Sequence, residues 1–129
     1  MLIQTARRSL QILGYDDTAG LSITLVKDPA IKKMNRNYRG KDHATDVLSF
    51  TATPPNFPNV TKYLGDIVIG VDTAKRNAAA DGNTLSYELV TLLVHGILHL
   101  SGYDHEHTSK KEAEKMMRKQ KKMILEVLS

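Results

Sequence analysis

Cysteine is absent from this chain of 129 residues. Its absence excludes a disulfide framework, a thiolate zinc site, an iron–sulfur cluster and a cysteine nucleophile, and it fits a reducing compartment. Long apolar runs are also missing, since none approaches the roughly 20 residues that a membrane span requires. Near the start, MLIQTARRSL places two arginines behind a very short apolar segment, which reverses the order found in a signal peptide. We therefore expect a cytoplasmic protein with no disulfide partner and no membrane partner.

Aromatic residues are scarce, at 5%, whereas 41% of the residues are apolar and 25% are charged. This composition is typical of a soluble globular protein, and the length predicts one domain spanning residues 1–129. The net charge of +4 is unevenly distributed, because basic residues dominate residues 27–43 and 106–129 while acidic residues dominate between them. Such basic flanks suit a polyanionic partner, although solvated helix faces would have the same composition.

Hydrophobic periodicity predicts an α+β fold, in which helices surround a small sheet. The predicted helices cover residues 2–13, 28–40, 72–82, 84–101 and 109–127. The predicted strands cover residues 21–27, 46–51 and 64–71, and three prolines predict a loop over residues 52–62.

Capping residues mark several of the helix ends. Asp28, which precedes a proline, is the predicted N-cap of the second helix, and Asp72 or Thr73 is that of the third. Ser109 and Glu112 form a predicted capping box at the start of the last helix.

Three histidines fall within eleven residues, in HGILHLSGYDH. His95 and His99 are four residues apart on the most apolar predicted helix, so they lie on one face and can bind one ion together. Gly102 is placed to end this helix, and the chain can then turn back and bring His105 to the same point. Three imidazoles with a fourth position left to water are typical of a catalytic zinc site, although buried histidines more often only donate and accept hydrogen bonds.

The spacing of these histidines is that of metzincin zinc peptidases, whose motif is H-E-x-x-H-x-x-G-x-x-H. The motif glutamate, which takes a proton from the zinc-bound water, is replaced here by Gly96. The histidine spacing favours a zincin-like metal site. Peptide hydrolysis is disfavoured, because glycine accepts no proton.

Two further motifs accompany the histidines, YRGKDHATDVLSF at residues 38–50 and LGDIVI at residues 64–69. With HGILHLSGYDH at residues 95–105, they occur in the order found in YbeY-type endoribonucleases and ribosomal RNA maturation factors of bacteria. The chain resembles this family from about residue 21 to its end. The resemblance implies a single-strand-specific, metal-dependent endoribonuclease that acts in small-subunit ribosomal RNA 3′-end maturation and ribosome quality control. It implies single-stranded RNA and ribosomal subunit components as partners.

The resemblance also implies roles for individual residues. His95, His99 and His105 would bind one zinc ion per chain, and Arg39 would be catalytic. An arginine can bind two phosphate oxygens at once and stabilise the charge that develops in phosphoryl transfer, whereas the alternative role of Arg39 is to interact with the helix dipole. Asp104 would orient a ligand imidazole or serve only as a turn residue.

RNA-contact candidates are the basic residues Arg36 and Lys41 and the aromatic residue Tyr38. Members of the family usually begin with a strand, whereas this chain starts almost directly in a helix. We therefore expect a small mixed sheet of three strands, or four if residues 1–4 contribute, packed with about five helices and with two metal ligands on a central buried helix. An uncovered sheet edge would invite pairing with another chain.

Three functions are compatible with the sequence. The first is a zinc-dependent endoribonuclease that cleaves a phosphodiester bond, either by attack of water or by attack of the neighbouring 2′-hydroxyl. The second is an RNA-binding protein of ribosome assembly whose metal is mainly structural. The third is a metzincin-like peptidase, which Gly96 disfavours. Nickel or another divalent ion is also compatible with imidazole ligands.

Overall fold

A computed structural model describes residues 1–52, 62–103 and 109–129 of the chain. These residues form five helices and three strands, which confirms the α+β fold. In chain order the elements are α1 (Leu2–Ile12), β1 (Ala19–Val26), α2 (Asp28–Arg39), β2 (Val47–Thr51), β3 (Lys62–Gly70), α3 (Val71–Asp81), α4 (Leu85–Leu100) and α5 (Lys110–Val127).

The three strands form one mixed sheet with the order β1-β3-β2. The central strand β3 pairs parallel to β1 and antiparallel to β2. Its residues Ile67 and Ile69 are completely buried, as expected for a strand with neighbours on both sides and helices on both faces. Leu2–Gln4 belong to α1 and add no strand. Of the two expected sheets, the described residues therefore form the one with three strands.

Helix α4 lies at the centre of the protein, as its apolar sequence predicts. On one side, Leu93 and Ile97 pack with Ile67 and Ile69 of the sheet and with α1 and α3. On the other side, Val90, Val94 and Leu98 pack against Met116, Met123 and Ile124 of α5. Because apolar neighbours surround this helix, its position is fixed, and polar side chains on it have to lie at the margin of the core.

The opposite face of the sheet is covered by α2. Ile31 of this helix packs with Leu48 of β2 and Val68 of β3. The amphipathic α2 therefore completes a layer arrangement in which the sheet lies between α2 and the group formed by α1, α3 and α4.

The predicted N-cap of α2 is wrong by one residue, and that of α3 is wrong by two or three. Lys27 and Gly70 are the N-caps, and neither uses a side-chain oxygen. The carboxylate of Asp72, on α3, instead accepts a hydrogen bond from the backbone N–H of Asp28 at 3.0 Å, while Thr73 donates one to the Asp28 carboxylate at 3.2 Å. The group that accepts from the first backbone N–H of α2 thus comes from a neighbouring helix, which periodicity within one segment does not reveal.

One bond of the predicted capping box at Ser109 is present, and Gly102 follows α4 as predicted. Thr84 accepts a hydrogen bond from the N–H of Tyr87 at the start of α4, and Ser109 accepts one from the N–H of Glu112 at the start of α5. After α4, Gly102 has a φ of 101°, a conformation that other residues adopt only at a cost. Most of the predicted loop over residues 52–62 lies outside the described residues.

None of the helices in the described ranges has the length and apolar character that crossing a membrane would require.

Candidate metal centre and phosphate-binding groove

A polar stripe interrupts the apolar surface of α4. It consists of Glu88, Thr91, His95 and His99, which are spaced by three or four residues and therefore share one helix face. All four line a groove of about 780 Å³, which we call the histidine groove. The other walls of the histidine groove are residues 38–39 at the end of α2, residues 45–51 in and before β2, and Met117 and Gln120 of α5.

The imidazoles of His95 and His99 face each other in the histidine groove. Their Nε2 atoms are 3.1 Å apart, and the ring centroids are 4.6 Å apart with an angle of 69° between the ring planes. Two nitrogens that each lie about 2.0–2.1 Å from one tetrahedral ion would be about 3.3 Å apart. The described donor pair therefore fits a zinc-sized cation between the two Nε2 atoms.

The second ring nitrogen of His95 has a partner on α5. His95 Nδ1 lies 2.6 Å from Oε1 of Gln120, a half-buried side chain. Because an amide oxygen only accepts hydrogen bonds, this contact assigns the proton of His95 to Nδ1 and leaves the lone pair of Nε2 directed at His99. Metal-binding histidines commonly have such a partner. Nothing in the sequence indicates that Gln120 contacts a histidine 25 residues earlier.

The remaining predicted ligand, His105, and its neighbour Asp104 lie outside the described residues. Among the residues that are described, no group of three metal-ligating side chains is present. The three-histidine site therefore stays a prediction, of which the structure describes the two helical members and their geometry.

Gly96 lies where α4 packs closely against Ile67 of the sheet. A Cβ atom at this position would be 3.1–3.2 Å from three side-chain carbons of Ile67, which is completely buried on β3. A glutamate here would therefore project into the core rather than toward the histidine groove. Close packing of the helix on the sheet is thus a physical reason why the peptidase glutamate is missing.

We expect Gly96→Ala to destabilise the fold by about 1 kcal/mol. Overpacking a core costs about 1–3 kcal/mol, which exceeds the roughly 1 kcal/mol that alanine gains over glycine within a helix. Urea unfolding of the single variant, of Ile67→Val and of the double variant measures the coupling. Gly96→Ala should lower the free energy of unfolding less in the Ile67→Val background than in the wild-type background. An equal decrease in both backgrounds would contradict the proposed contact.

Arg39 is the last residue of α2 and lines the same groove as His95 and His99. The helix ends there because Gly40 adopts a left-handed conformation with φ of 70°. The buried side chain of Asn35 donates a hydrogen bond to the carbonyl oxygen of His43 at 2.9 Å. This bond holds the segment between Arg39 and β2, so the guanidinium is presented from a fixed helix end.

The predicted RNA-contact residues do not all lie in the same place. Tyr38 lines the histidine groove, is 71% exposed, and contacts Phe50 edge to face with a centroid distance of 5.0 Å. Arg36 and Lys41 are exposed but do not line the groove, and Arg36 lies 3.9 Å from the carboxylate of Asp42. Tyr38 therefore lies in the groove with an exposed ring, whereas Arg36 and Lys41 lie on the surface outside it.

Glu88 is a groove residue that the sequence analysis missed. Only 8% of it is exposed, and burial is the main cause that raises the pKa of its carboxyl above the usual value. The carboxylates of Asp46 and Asp81 raise this pKa further, while a hydrogen bond from Asn77 opposes the shift. Asn77 also donates to Asp46 at 3.3 Å, so one amide connects α3, α4 and the start of β2. A lone acid seven residues before His95 on an apolar helix was the available signal.

The raised pKa of Glu88 predicts a pH-dependent stability. Because the folded protein favours the protonated form, this group contributes stability at acidic pH that is lost as the pH rises through its raised pKa. Glu88→Gln removes this loss, so its melting temperature should rise relative to the wild type as the pH is raised above the ordinary pKa of glutamate. Glu114→Gln, at an exposed position of α5, is the control for the substitution itself. If the melting temperatures of Glu88→Gln and wild type changed with pH in the same way, the prediction would be contradicted.

Comparison with known proteins gives a consistent result. The model of the family described as endoribonuclease YbeY matches residues 2–129. The chloroplastic endoribonuclease YBEY of Arabidopsis thaliana is 42% identical over 125 residues, which are 97% of this chain and 21% of that protein. Endoribonuclease YbeY of Anaeromyxobacter dehalogenans is 54% identical over 97 residues, which are 75% of this chain and 49% of that protein. The chain thus spans half or less of the length of these two relatives.

Other relatives match over more of their own length. Endoribonuclease YbeY of Geobacter metallireducens is 40% identical over 124 residues, which are 95% of this chain and 82% of that protein. Among solved structures, the solution structure of TM1509 from Thermotoga maritima matches with a TM-score of 0.68 and 33% identity, and the match covers 98% of this chain and 78% of that one.

Proposed function

The chain belongs to the endoribonuclease YbeY family, and we propose that it is a metal-dependent endoribonuclease that cleaves single-stranded RNA. The observation that carries this proposal is the histidine groove, where a pair of facing histidines and an arginine from a different helix line one cavity. Such a combination suits phosphodiester cleavage, because the scissile phosphate can lie between a group that activates the nucleophile and a cation that stabilises the developing charge.

We propose zinc as the ion held by His95 and His99, with His105 as the third ligand. The 3.1 Å separation of the two Nε2 atoms and the Gln120 contact to His95 support two of these ligands. When bound, zinc supplies Lewis acidity, which makes water a competent nucleophile or base near neutral pH. The same donor set accepts nickel, so the metal content has to be measured rather than inferred.

Gln120→Ala is expected to lower the affinity for zinc about 10- to 100-fold, which is the usual cost of removing the hydrogen-bond partner of a ligand histidine. Gln120→Glu, which keeps an acceptor oxygen, should retain the affinity. Zinc affinity is measured by competition with a chromogenic chelator, and metal-free protein is compared by circular dichroism to exclude unfolding. Equal affinity of Gln120→Ala and wild type would show that His95 does not depend on this contact.

The side chains of the histidine groove suit the other requirements of RNA cleavage. The guanidinium of Arg39 can donate two parallel hydrogen bonds to phosphate oxygens and stabilise the additional negative charge of the transition state. The exposed ring of Tyr38, supported by Phe50, can stack on a neighbouring base that is not already stacked in a duplex. Arg36 and Lys41 lie just outside the groove, where contacts to phosphates add affinity without selecting a sequence.

We propose ribosomal RNA as the substrate and ribosomal subunits as the site of action, including 3′-end maturation of the small-subunit RNA and quality control. The names of the relatives support RNA cleavage, and the family resemblance supports the ribosomal role. The excess of basic residues in segments 27–43 and 106–129 supports a polyanionic partner.

Cleavage of a ribosomal RNA fragment tests the proposed function. The expected result is endonucleolytic cleavage of the single-stranded fragment, little cleavage when it is annealed to its complement, loss of activity with a chelator and recovery with zinc. The product ends distinguish the two routes, since attack by the 2′-hydroxyl leaves a 2′,3′-cyclic phosphate. Equal cleavage of both substrates, or full activity of chelated protein shown to be metal-free, would overturn the proposal.

A further inference from the structure

Strand β2 runs along the histidine groove with one edge that pairs with no strand in the described part of the chain. The strand order is β1-β3-β2, so β3 occupies only one side of β2. Every residue from Thr45 to Thr51 lines the groove. An uncovered strand edge presents a row of backbone donors and acceptors, which act as a template for a binding partner.

The register identifies which backbone groups face this edge. The N–H of Gly70 donates to the carbonyl oxygen of Asp46 at 2.8 Å, and the N–H of Ala52 donates to that of Leu64 at 3.0 Å. Even-numbered residues of β2 therefore bond to β3, because hydrogen-bonded and non-hydrogen-bonded pairs alternate in an antiparallel ladder. The N–H and C=O groups of Val47, Ser49 and Thr51 consequently point away from β3.

We infer that the outer edge of β2 binds the bases of single-stranded RNA through its main chain. This inference rests on the proposed function and adds to it a binding surface and a reason for single-strand specificity. The donor and acceptor groups of unpaired bases are available for hydrogen bonds to a backbone edge, whereas those of a duplex are already used in base pairs. Val47, Ser49 and Thr51 repeat about every 7 Å, which is comparable with the step between bases of an unstacked strand.

The surroundings of the edge favour RNA over an extended peptide. Tyr38, with its 71% exposed ring, contacts Phe50 of β2 itself, so an aromatic surface lies beside the backbone groups. Arg39 lines the same groove and suits a phosphate. The buried carboxyl group of Glu88, which also lines the groove, would accept a hydrogen bond from a base amino group.

Proline substitution tests the inference, because proline removes a backbone N–H and is tolerated on a strand only where that N–H faces outward. Ser49→Pro removes an outward N–H, Ser49→Ala is the matched side-chain control, and Leu48→Pro removes an N–H that bonds to β3. Ser49→Pro should melt within about 4 °C of Ser49→Ala, whereas Leu48→Pro should lower the melting temperature by more than about 10 °C. Similar losses for the two prolines would overturn the assigned register and the inference with it.

RNA binding is then measured by fluorescence anisotropy in a His99→Ala background, which prevents cleavage. Ser49→Pro should weaken binding of a single-stranded oligonucleotide about 3- to 10-fold relative to Ser49→Ala, the effect of one hydrogen bond. Replacing bases of this oligonucleotide by abasic sites should weaken binding to Ser49→Ala more than binding to Ser49→Pro. If Ser49→Pro acts only by disturbing the structure, it should weaken binding of the normal and the abasic oligonucleotide by the same factor. That result would overturn the inference.

Two outcomes separate this inference from the proposed function. If the wild type cleaves RNA and Ser49→Pro binds and cleaves RNA as well as Ser49→Ala does, the edge has no role in binding and only the inference fails. If an extended peptide of threonine and valine binds Ser49→Ala but not Ser49→Pro, while RNA binds both equally, the edge accepts peptides and the inference is also wrong. Failure of the wild type to cleave any RNA would instead contradict the proposed function.

Discussion

Replacing His99 with alanine is expected to reduce RNA cleavage by more than about 100-fold. Loss of an outer partner of a metal ligand typically costs about 10- to 100-fold, so loss of a ligand itself should cost more. The imidazole of His99 faces that of His95 with 3.1 Å between the Nε2 atoms. Removing either ring would leave the proposed metal site with too few ligands to hold the ion. Zinc per chain, measured by mass spectrometry on protein purified without a metal-affinity column, should fall in parallel with the rate.

His43→Ala provides the matched control for this experiment. His43 is exposed and does not line the histidine groove, and its contact with Asn35 uses the backbone oxygen, which alanine retains. This variant should keep the wild-type rate and zinc content. Undiminished cleavage by His99→Ala at a zinc content near zero would mean that the histidine pair does not hold a catalytic ion.

Arg39→Ala is expected to lower kcat by about 1,000-fold or more with little change in zinc content. An arginine that stabilises the transition-state charge of phosphoryl transfer contributes on this scale. Arg39→Lys should recover only part of the activity, because an ammonium group keeps the charge but not the two parallel hydrogen bonds of a guanidinium. Single-turnover kinetics with saturating protein separates this chemical step from RNA binding.

Arg36→Ala is the control, since Arg36 lies three residues earlier on α2 but outside the histidine groove. A phosphate contact at that position affects KM and the salt dependence of binding rather than kcat. If Arg36→Ala and Arg39→Ala lowered kcat by the same factor, the groove position of Arg39 would have no special role. An unchanged kcat for Arg39→Ala would exclude it as a catalytic residue.

Much of the fold follows from patterns within single segments. The extent of α4, its central position and the pairing of His95 with His99 were predictable, because a helix places residues four apart on one face and an apolar circumference requires burial. The stops at Gly40 and Gly102 were predictable for the same local reason, since the backbone needs a left-handed residue there. The hydrogen-bond acceptor at the start of α2 was not predictable, because it is the carboxylate of Asp72, which belongs to another helix.

The candidate site also has features that depend on local sequence and others that depend on tertiary packing. The sequence by itself determined which residue types are present and which of them share one helix face, since this depends only on spacing along a regular backbone. Tertiary packing alone decided that Gln120 contacts His95, that Arg39 lines the same groove as the histidines, that Glu88 is buried, and that one edge of β2 borders the groove. These contacts join segments far apart in the chain. Their geometry is set by how side chains fill the core between the sheet and the helices, which no local periodicity encodes.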